Sequence, residues 1–235
     1  MGGKAIATDI PAPKVNPKHE KNMTRLWDIA EEHFGKVRYI EPASRNQTYK
    51  IHFCDGRLLK AVFTGILGDY HQLLFDDGVR VPRILKKIEI DTQFAWKFVE
   101  WIEGQCWSEA ISITAVYKEI PAKCYYKLGK MAAQIANCTD GSKPLEIADI
   151  LWGNFIYDDQ ERLWLIDTKT VNPSNTPEWW ILHRVIFHPC SFPWQKEAFI
   201  KGYIEVIDKR AEILLEHIKY GNQFMGKLHA KLARI

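Results

Sequence analysis

The chain has no Cys-x-x-Cys pair, no long uncharged apolar run, no internal repeat and no low-complexity tract. Its five cysteines, Cys54, Cys106, Cys124, Cys138 and Cys190, are odd in number and widely spaced. That pattern argues against a disulfide framework and for reduced thiols in a cytosolic protein. A membrane-spanning helix needs roughly 20 consecutive apolar residues, and none is expected here. Met1-Gly2-Gly3-Lys4-Ala5-Ile6 holds no apolar core long enough for a signal peptide. Ile6 stands where a myristoylated N-terminus carries Ser or Thr. The net charge of +3 is too mild to argue for nucleic acid. What is there is 235 residues, 46% hydrophobic and 26% charged, an ordinary globular composition that suits one large domain or two small lobes.

Residues 1–19 contain three prolines and no periodicity and read as a flexible lead-in. A short helix is expected over Lys21–His33, with Leu26, Ile29 and Ala30 on one face and Gly35 as its stop. Strands follow at Val37–Ile40, Thr48–Phe53 and Leu58–Phe63, the last two joined by Asp55-Gly56, the strongest hairpin signal in the chain. A helix near Gly68–Phe75 precedes two further strands, Arg83–Ile90 and Ala95–Trp101. After Gly104 the pattern changes to helices at Ser108–Glu119 and Ala122–Ala136. In the second of these Tyr125, Leu128, Met131, Ala132 and Ile135 recur at helical steps, a stripe read as core. Residues 172–193 carry four prolines and read as loop, with a short helix at Glu178–Phe187. Helices at Trp194–Ile207 and Lys209–Leu232 close the chain. Strands followed by helices predict an α+β class, divided into a β-rich part over 1–103 and a helical part over 104–235.

The most informative segment is 146–170. Asp149 is followed five positions later by Asn154, then by the apolar run Phe155-Ile156-Tyr157, a polar turn, and a second strand Arg162–Ile166 ending at Asp167. Such a hairpin carries Asp149 and Asn154 on its entry loop and Asp167 at its exit, so three metal-friendly or proton-accepting groups can converge on one side. Hard Mg²⁺ is bound by carboxylate and amide oxygens, and phosphoryl transfer also uses a carboxylate beside the attacking hydroxyl. The plainer alternative is an exposed acidic turn beside a hairpin.

The spacing Asp-x-x-x-x-Asn, hairpin, Ile-Asp resembles the catalytic segment of the protein-kinase-like superfamily. It is closest to the aminoglycoside-phosphotransferase and lipopolysaccharide-kinase branches, over about residues 36–206. The resemblance implies a two-lobed fold, a small β-rich N-lobe and a mostly helical C-lobe. It implies Asp149 as catalytic base, with Asn154 and Asp167 as metal ligands. Lys60, inside the apolar strand after the Asp55-Gly56 hairpin, takes the place of the third-strand lysine on the α- and β-phosphates, with Lys50 as its nearest rival. Asp69 is the expected acidic partner of that lysine. It could equally be a helix-start residue favoured by the dipole. Ser44, Arg45 and Asn46 could donate to phosphate oxygens. Val99-Glu100-Trp101-Ile102-Glu103-Gly104 resembles the hinge, where adenine would be held by backbone groups at Glu100 and Ile102.

The departures narrow the substrate. Residues 41–48 have no glycine, Ile147-Ala148 replaces the usual His-Gly or His-Arg, Thr168-Lys169 replaces Phe-Gly, and no Ala-Pro-Glu follows. A protein acceptor is therefore disfavoured. The resemblance implies ATP- and Mg²⁺-dependent phosphorylation of a sugar, a glycolipid of the lipopolysaccharide type or another small molecule. The alternative is a pseudokinase, a nucleotide-binding or scaffold module, favoured by the absent glycine loop, the absent His and the lysine's uncertain partner. His183, His188 and Cys190 lack a fourth ligand at zinc spacing and read as loop packing. The basic residues of the C-terminal helix, Lys209, Arg210, Lys219, Lys227, Lys231 and Arg234, lie among apolar ones. They could rest at the inner face of a membrane, although a solvated helix face is the commoner outcome.

Overall fold

The computed structural model describes residues 17–44, 48–106, 120–175 and 192–207, with side chains for all of these except 17–23 and Ser44. Contacts divide the chain into two compact units, Met1–Val62 and Phe63–Ile235.

The first unit starts with α1 (Pro17–Phe34) and continues through β1 (Val37–Ser44), β2 (Thr48–Phe53) and the start of β3 (Leu58–Gly65). Helix α1 ends at Gly35, whose φ of +103° is open to glycine at little cost, and Glu31 Oε1 accepts the Val37 N–H at 3.0 Å. The β2–β3 turn is the expected Asp-Gly one. Gly56 sits at φ +88°, and Asp55 accepts the Arg57 N–H at 3.0 Å and its Nε–H at 2.7 Å. Burial alternates strictly along β2, so one face carries Tyr49, Ile51 and Phe53. These are buried together with Leu59 and Ala61 of β3 and Leu26 and Ala30 of α1.

Strand β3 pairs antiparallel with β2, Leu58 to Val62 opposite His52 to Thr48. In the second unit, Phe63 stacks on Phe94 and meets Trp96 edge-on. Helix α2 (His71–Asp76) lies between β3 and β4 (Ile84–Glu89) in sequence, and β5 spans Phe94–Glu100. The inserted helix is shorter than the expected Gly68–Phe75. Strand β5 is buried from Ala95 to Val99, Lys97 included.

The rest of the unit is α3 (Ala122–Asn137), β6 (Thr139–Asp140), β7 (Lys143–Ile147), the hairpin β8 (Phe155–Tyr157) and β9 (Leu163–Leu165), β10 (Val171–Pro173) and α4 (Pro193–Ile204). The predicted stripe of α3 is buried as expected. One core joins it to Leu74, Val79 and Val81, to Phe155, Leu163 and Leu165 of the hairpin, and to Phe199 and Tyr203 of α4. Helices α3 and α4 cross at two glycines. A Cβ on Gly129 would run into the backbone carbonyl of Phe199, and one on Gly202 into that of Tyr126. Backbone cannot yield there as a flexible side chain can. Gly202→Ala is therefore expected to destabilise by about 1–3 kcal/mol or more, read as a lower urea midpoint at unchanged slope.

The expected helices at 108–119, 178–187 and 209–232, the group His183, His188 and Cys190, and Arg45 and Asn46 lie outside the described residues. Among the described residues no helix is long and apolar enough to cross a membrane.

Candidate functional site

Asp149 follows β7 directly, and the backbone ladder decides what stands near it. Strand β7 pairs with β10, Val171 opposite Ile147, and the Ala148 N–H donates to Thr170 O at 2.7 Å. The chain just after Asp167 is thereby held against the chain just before Asp149. From Asp149 the backbone passes through a 3-10 turn, Trp152–Asn154, into β8. The Asn154 side chain closes that loop, its Nδ2 donating to Asp149 O at 3.0 Å. Across the hairpin the Ile166 N–H donates to Asn154 O at 2.9 Å, which sets Asp167 one residue past Asn154's neighbour. The three residues read from spacing are thus brought to one end of the hairpin by hydrogen bonds of the main chain. All three are half-buried.

The Asp167 carboxylate is oriented by its own turn. Its Oδ1 accepts the Lys169 N–H at 3.2 Å, and its carbonyl accepts from Thr170 Oγ1 at 2.7 Å. The hairpin's far turn is fastened separately by Asp158, which accepts from Arg162 N–H, Arg162 Nε–H and Trp164 Nε1–H at 2.6–2.7 Å. Burial pushes the Asp158 carboxyl up, but these donors outweigh it and hold the pKa below the ordinary value.

These groups fit Mg²⁺ by their chemistry. With Nδ2 spent on Asp149 O, the Asn154 amide presents its oxygen, and Asp167 presents a carboxylate, both hard ligands. Among the described residues no group of three or more His, Cys, Asp or Glu could hold a metal. A Mg²⁺ carried on substrate phosphates needs only one or two protein carboxylates, since phosphate oxygens and water supply the rest.

A buried ion pair lies in the same unit. Lys97 Nζ of β5 donates to Asp69 Oδ1 at 2.8 Å and Oδ2 at 2.9 Å, and the two side chains are 3% and 8% exposed. Burial depresses the Lys97 ammonium pKa, and the Asp69 carboxylate opposes the shift without cancelling it. For Asp69, burial pushes up, while the Lys97 charge and hydrogen bond and the His71 N–H outweigh it and leave the carboxyl low. His71 is itself buried. Its Nδ1 lies 3.2 Å from Thr168 Oγ1 and its Nε2 meets Pro82 O. A carbonyl only accepts, so Nε2 carries a proton, and in the neutral imidazole Nδ1 is then the acceptor for Thr168.

Solved structures share this arrangement of elements. An aminoglycoside-3'-phosphotransferase of type VIII matches with a TM-score of 0.53 at 16% identity, over 80% of this chain and 92% of the other. A spectinomycin phosphotransferase bound to AMP matches at 0.57 and 15% identity, over 90% and 93%. A thermostable aminoglycoside phosphotransferase mutant, in a ternary complex with AMP-PNP and hygromycin B, matches at 0.54 and 12% identity, over 90% and 94%. The chain has the protein-kinase-like fold of these phosphotransferases. No family model matches its sequence, and no curated protein does.

Both oxygens of Asp69, the expected partner of Lys60, accept from Lys97, a residue outside the sequence-based expectations. A lysine in the middle of Phe94-Ala95-Trp96-Lys97-Phe98-Val99, a run apolar enough to be buried on both faces, was the available signal, since an ammonium in such a strand needs a partner. Lys60 is half-buried on β3, directly opposite Lys50 of β2, and Lys50 lies 4.0 Å from Glu41.

Ser44 is the last residue of β1, opposite Thr48. In the hinge-like segment, the Glu100 N–H donates to Arg83 O at 3.1 Å and the Glu100 carboxylate accepts from the Arg83 N–H at 2.9 Å. The segment is then pinned to the hairpin through Gln105 and Tyr157, which exchange backbone hydrogen bonds of 2.8 and 3.0 Å. Gly104 makes that approach possible, for a Cβ there would stand 2.5 Å from Tyr157 O.

Proposed function

We propose that the chain is an ATP- and Mg²⁺-dependent phosphotransferase acting on a hydroxyl of a small molecule, with a sugar or lipopolysaccharide-type glycolipid as the first-choice acceptor. The observation that carries the reading is the Asn154 side chain bonded to the Asp149 carbonyl at the mouth of a hairpin that returns as Asp167. An acidic surface turn has no need of that lock. The Lys97–Asp69 pair removes one argument for a scaffold, the lysine without a convincing acidic partner.

In this reading Asp149 orients the acceptor hydroxyl and accepts its proton. Asn154 and Asp167 would hold Mg²⁺, which when bound with ATP neutralises charge on the phosphates. The Glu100 carbonyl and the Ile102 backbone hold the adenine. Rate acceleration then comes from positioning and from charge stabilisation.

Aromatic residues beside the loop support a ring-shaped acceptor. Trp152, between Asp149 and Asn154, donates its Nε1–H to Tyr125 OH at 3.3 Å. Tyr125 meets Trp194 edge-on at 6.4 Å, and Trp194 stacks on Phe192 at 6.2 Å while staying 41% exposed. Tyr125 and Trp152 are buried, and the exposed face of Trp194 is the one that suits the apolar face of a sugar ring. Sugars, lipopolysaccharide-type glycolipids and aminoglycosides, each incubated with labelled ATP and Mg²⁺, test the reading. Label transfer to a sugar or glycolipid is expected. Transfer only to aminoglycosides would move the acceptor class, and no transfer to any acceptor together with no Mg-ATP binding would sink the enzyme.

A further inference from the structure

We propose that the cation meeting the nucleotide's phosphates is Lys97 of β5, held in place by Asp69, rather than a lysine of β3. The inference rests on the ATP-dependent reading above and names the residue that reading leaves open.

The Lys97 side chain is 3% exposed, and a buried ammonium is costly unless it is paired. Asp69 supplies the pair, yet it takes only two of the three N–H donors that an ammonium carries. The third has no acceptor among the described residues. A buried donor in that condition marks a place for an acceptor that arrives from outside, and a phosphate oxygen is a strong one. Packing does not call for the pair, since Ala95, Trp96, Phe98 and Val99 around it are apolar. Replacing a buried ion pair with apolar residues is often neutral or stabilising.

The pair is also tied to the candidate metal-binding turn. Asp69 Oδ1 accepts the His71 N–H at 3.3 Å. The His71 ring is hydrogen-bonded to Thr168 Oγ1 at 3.2 Å, and Thr168 is the residue after Asp167. On the other side of Thr168, Lys169 Nζ donates to Phe63 O at 3.0 Å, in the part of β3 that lies beside β5. Lys169 is close enough that its charge adds to the depression of the Lys97 pKa, after burial, its main cause. Two cations thus flank the Asp167 turn, one buried and fixed, the other exposed. A polyphosphate with its metal at Asp167 would meet Lys97 from within and Lys169 from the solvent side. Asp69 acts through Lys97 and is a positioning residue.

Calorimetric titration of the full chain with Mg-ATP, and separately with adenosine, tests this. Lys97→Met is expected to weaken Mg-ATP binding at least tenfold and to leave adenosine binding within about twofold, since adenosine has no phosphate to lose. The double variant Lys97→Met/Asp69→Leu removes both charges and is read in the same way if the single variant does not fold. Lys60→Met is expected to cost less than either. Unchanged Mg-ATP affinity in the folded Lys97 variants overturns the inference, as does an equal loss for adenosine, which would mark a purely structural pair. A larger loss in Lys60→Met than in Lys97→Met returns the role to β3. If the wild-type chain binds adenosine and Mg-ATP equally well, no phosphate cation exists at all. If it binds neither, the ATP-dependent reading falls together with the inference.

Discussion

Asp149→Asn is expected to lower turnover on the true acceptor by about a hundredfold or more, a barrier increase of about 2.7 kcal/mol. The size follows from what the substitution removes. Asn has the shape of Asp but neither charge nor basicity, so the acceptor hydroxyl loses the group that takes its proton. The framework does not depend on the side chain, because the contact that closes the loop uses the Asp149 carbonyl and the Asn154 amide. Fold, melting temperature and Mg-ATP affinity should therefore stay close to wild type. A loss confined to the transition state lowers kcat and kcat/KM alike. Steady-state kinetics with the acceptor found in the panel would separate these quantities. Wild-type turnover in the folded variant would remove Asp149 from the mechanism.

Much of the architecture was legible because the signals were local. Asp55-Gly56 announces the β2–β3 hairpin, and strict alternation in Thr48–Phe53 announces a strand with one buried face. The helical stripe from Tyr125 to Ile135 announces α3. The hairpin carrying Asn154 and Asp167 was legible for the same reason. Strands β6, β7 and β10 were not. They are two to five residues long, β7 and β10 contain Pro144 and Pro173, and the β7–β10 pairing joins residues far apart in sequence. No short window shows either the period or the partner. Yet this small ladder is what brings the Asp167 turn back to Asp149. The Lys97–Asp69 pair escaped for a related reason. Strand order points to Lys60, while the partner of Asp69 is decided by burial. A lysine 2% exposed on β5 must have an acid, and Asp69, 28 residues away, is the one the fold presents. The close α3–α4 crossing at Gly129 and Gly202 was likewise hidden, since a glycine inside a helix reads only as a weak helix former.

Asp167→Ala is expected to abolish the Mg²⁺-dependent part of ATP binding, the larger of the two metal-site effects. Asp167 is the one carboxylate of the candidate ligand pair, and its charge meets the metal directly, whereas Asn154 offers a neutral amide oxygen. Asn154→Ala should therefore weaken binding less, although it also opens the loop closed on Asp149 O. The Asp167 side chain has a second task, since its Oδ1 accepts the Lys169 N–H at the start of the 3-10 turn. Loss of such a cap typically costs about 0.5–2 kcal/mol, so Asp167→Ala alone would mix metal binding with loosening of the turn. Asp167→Asn separates the two, because an amide oxygen can still accept from Lys169 N–H while the charge is gone. Calorimetry with ATP in the presence and absence of Mg²⁺ should show the metal-dependent increment missing in both variants, with thermal stability lowered only in Asp167→Ala. An increment kept in Asp167→Asn would mean that the carboxylate caps the turn and nothing more, and the metal would have to be sought elsewhere.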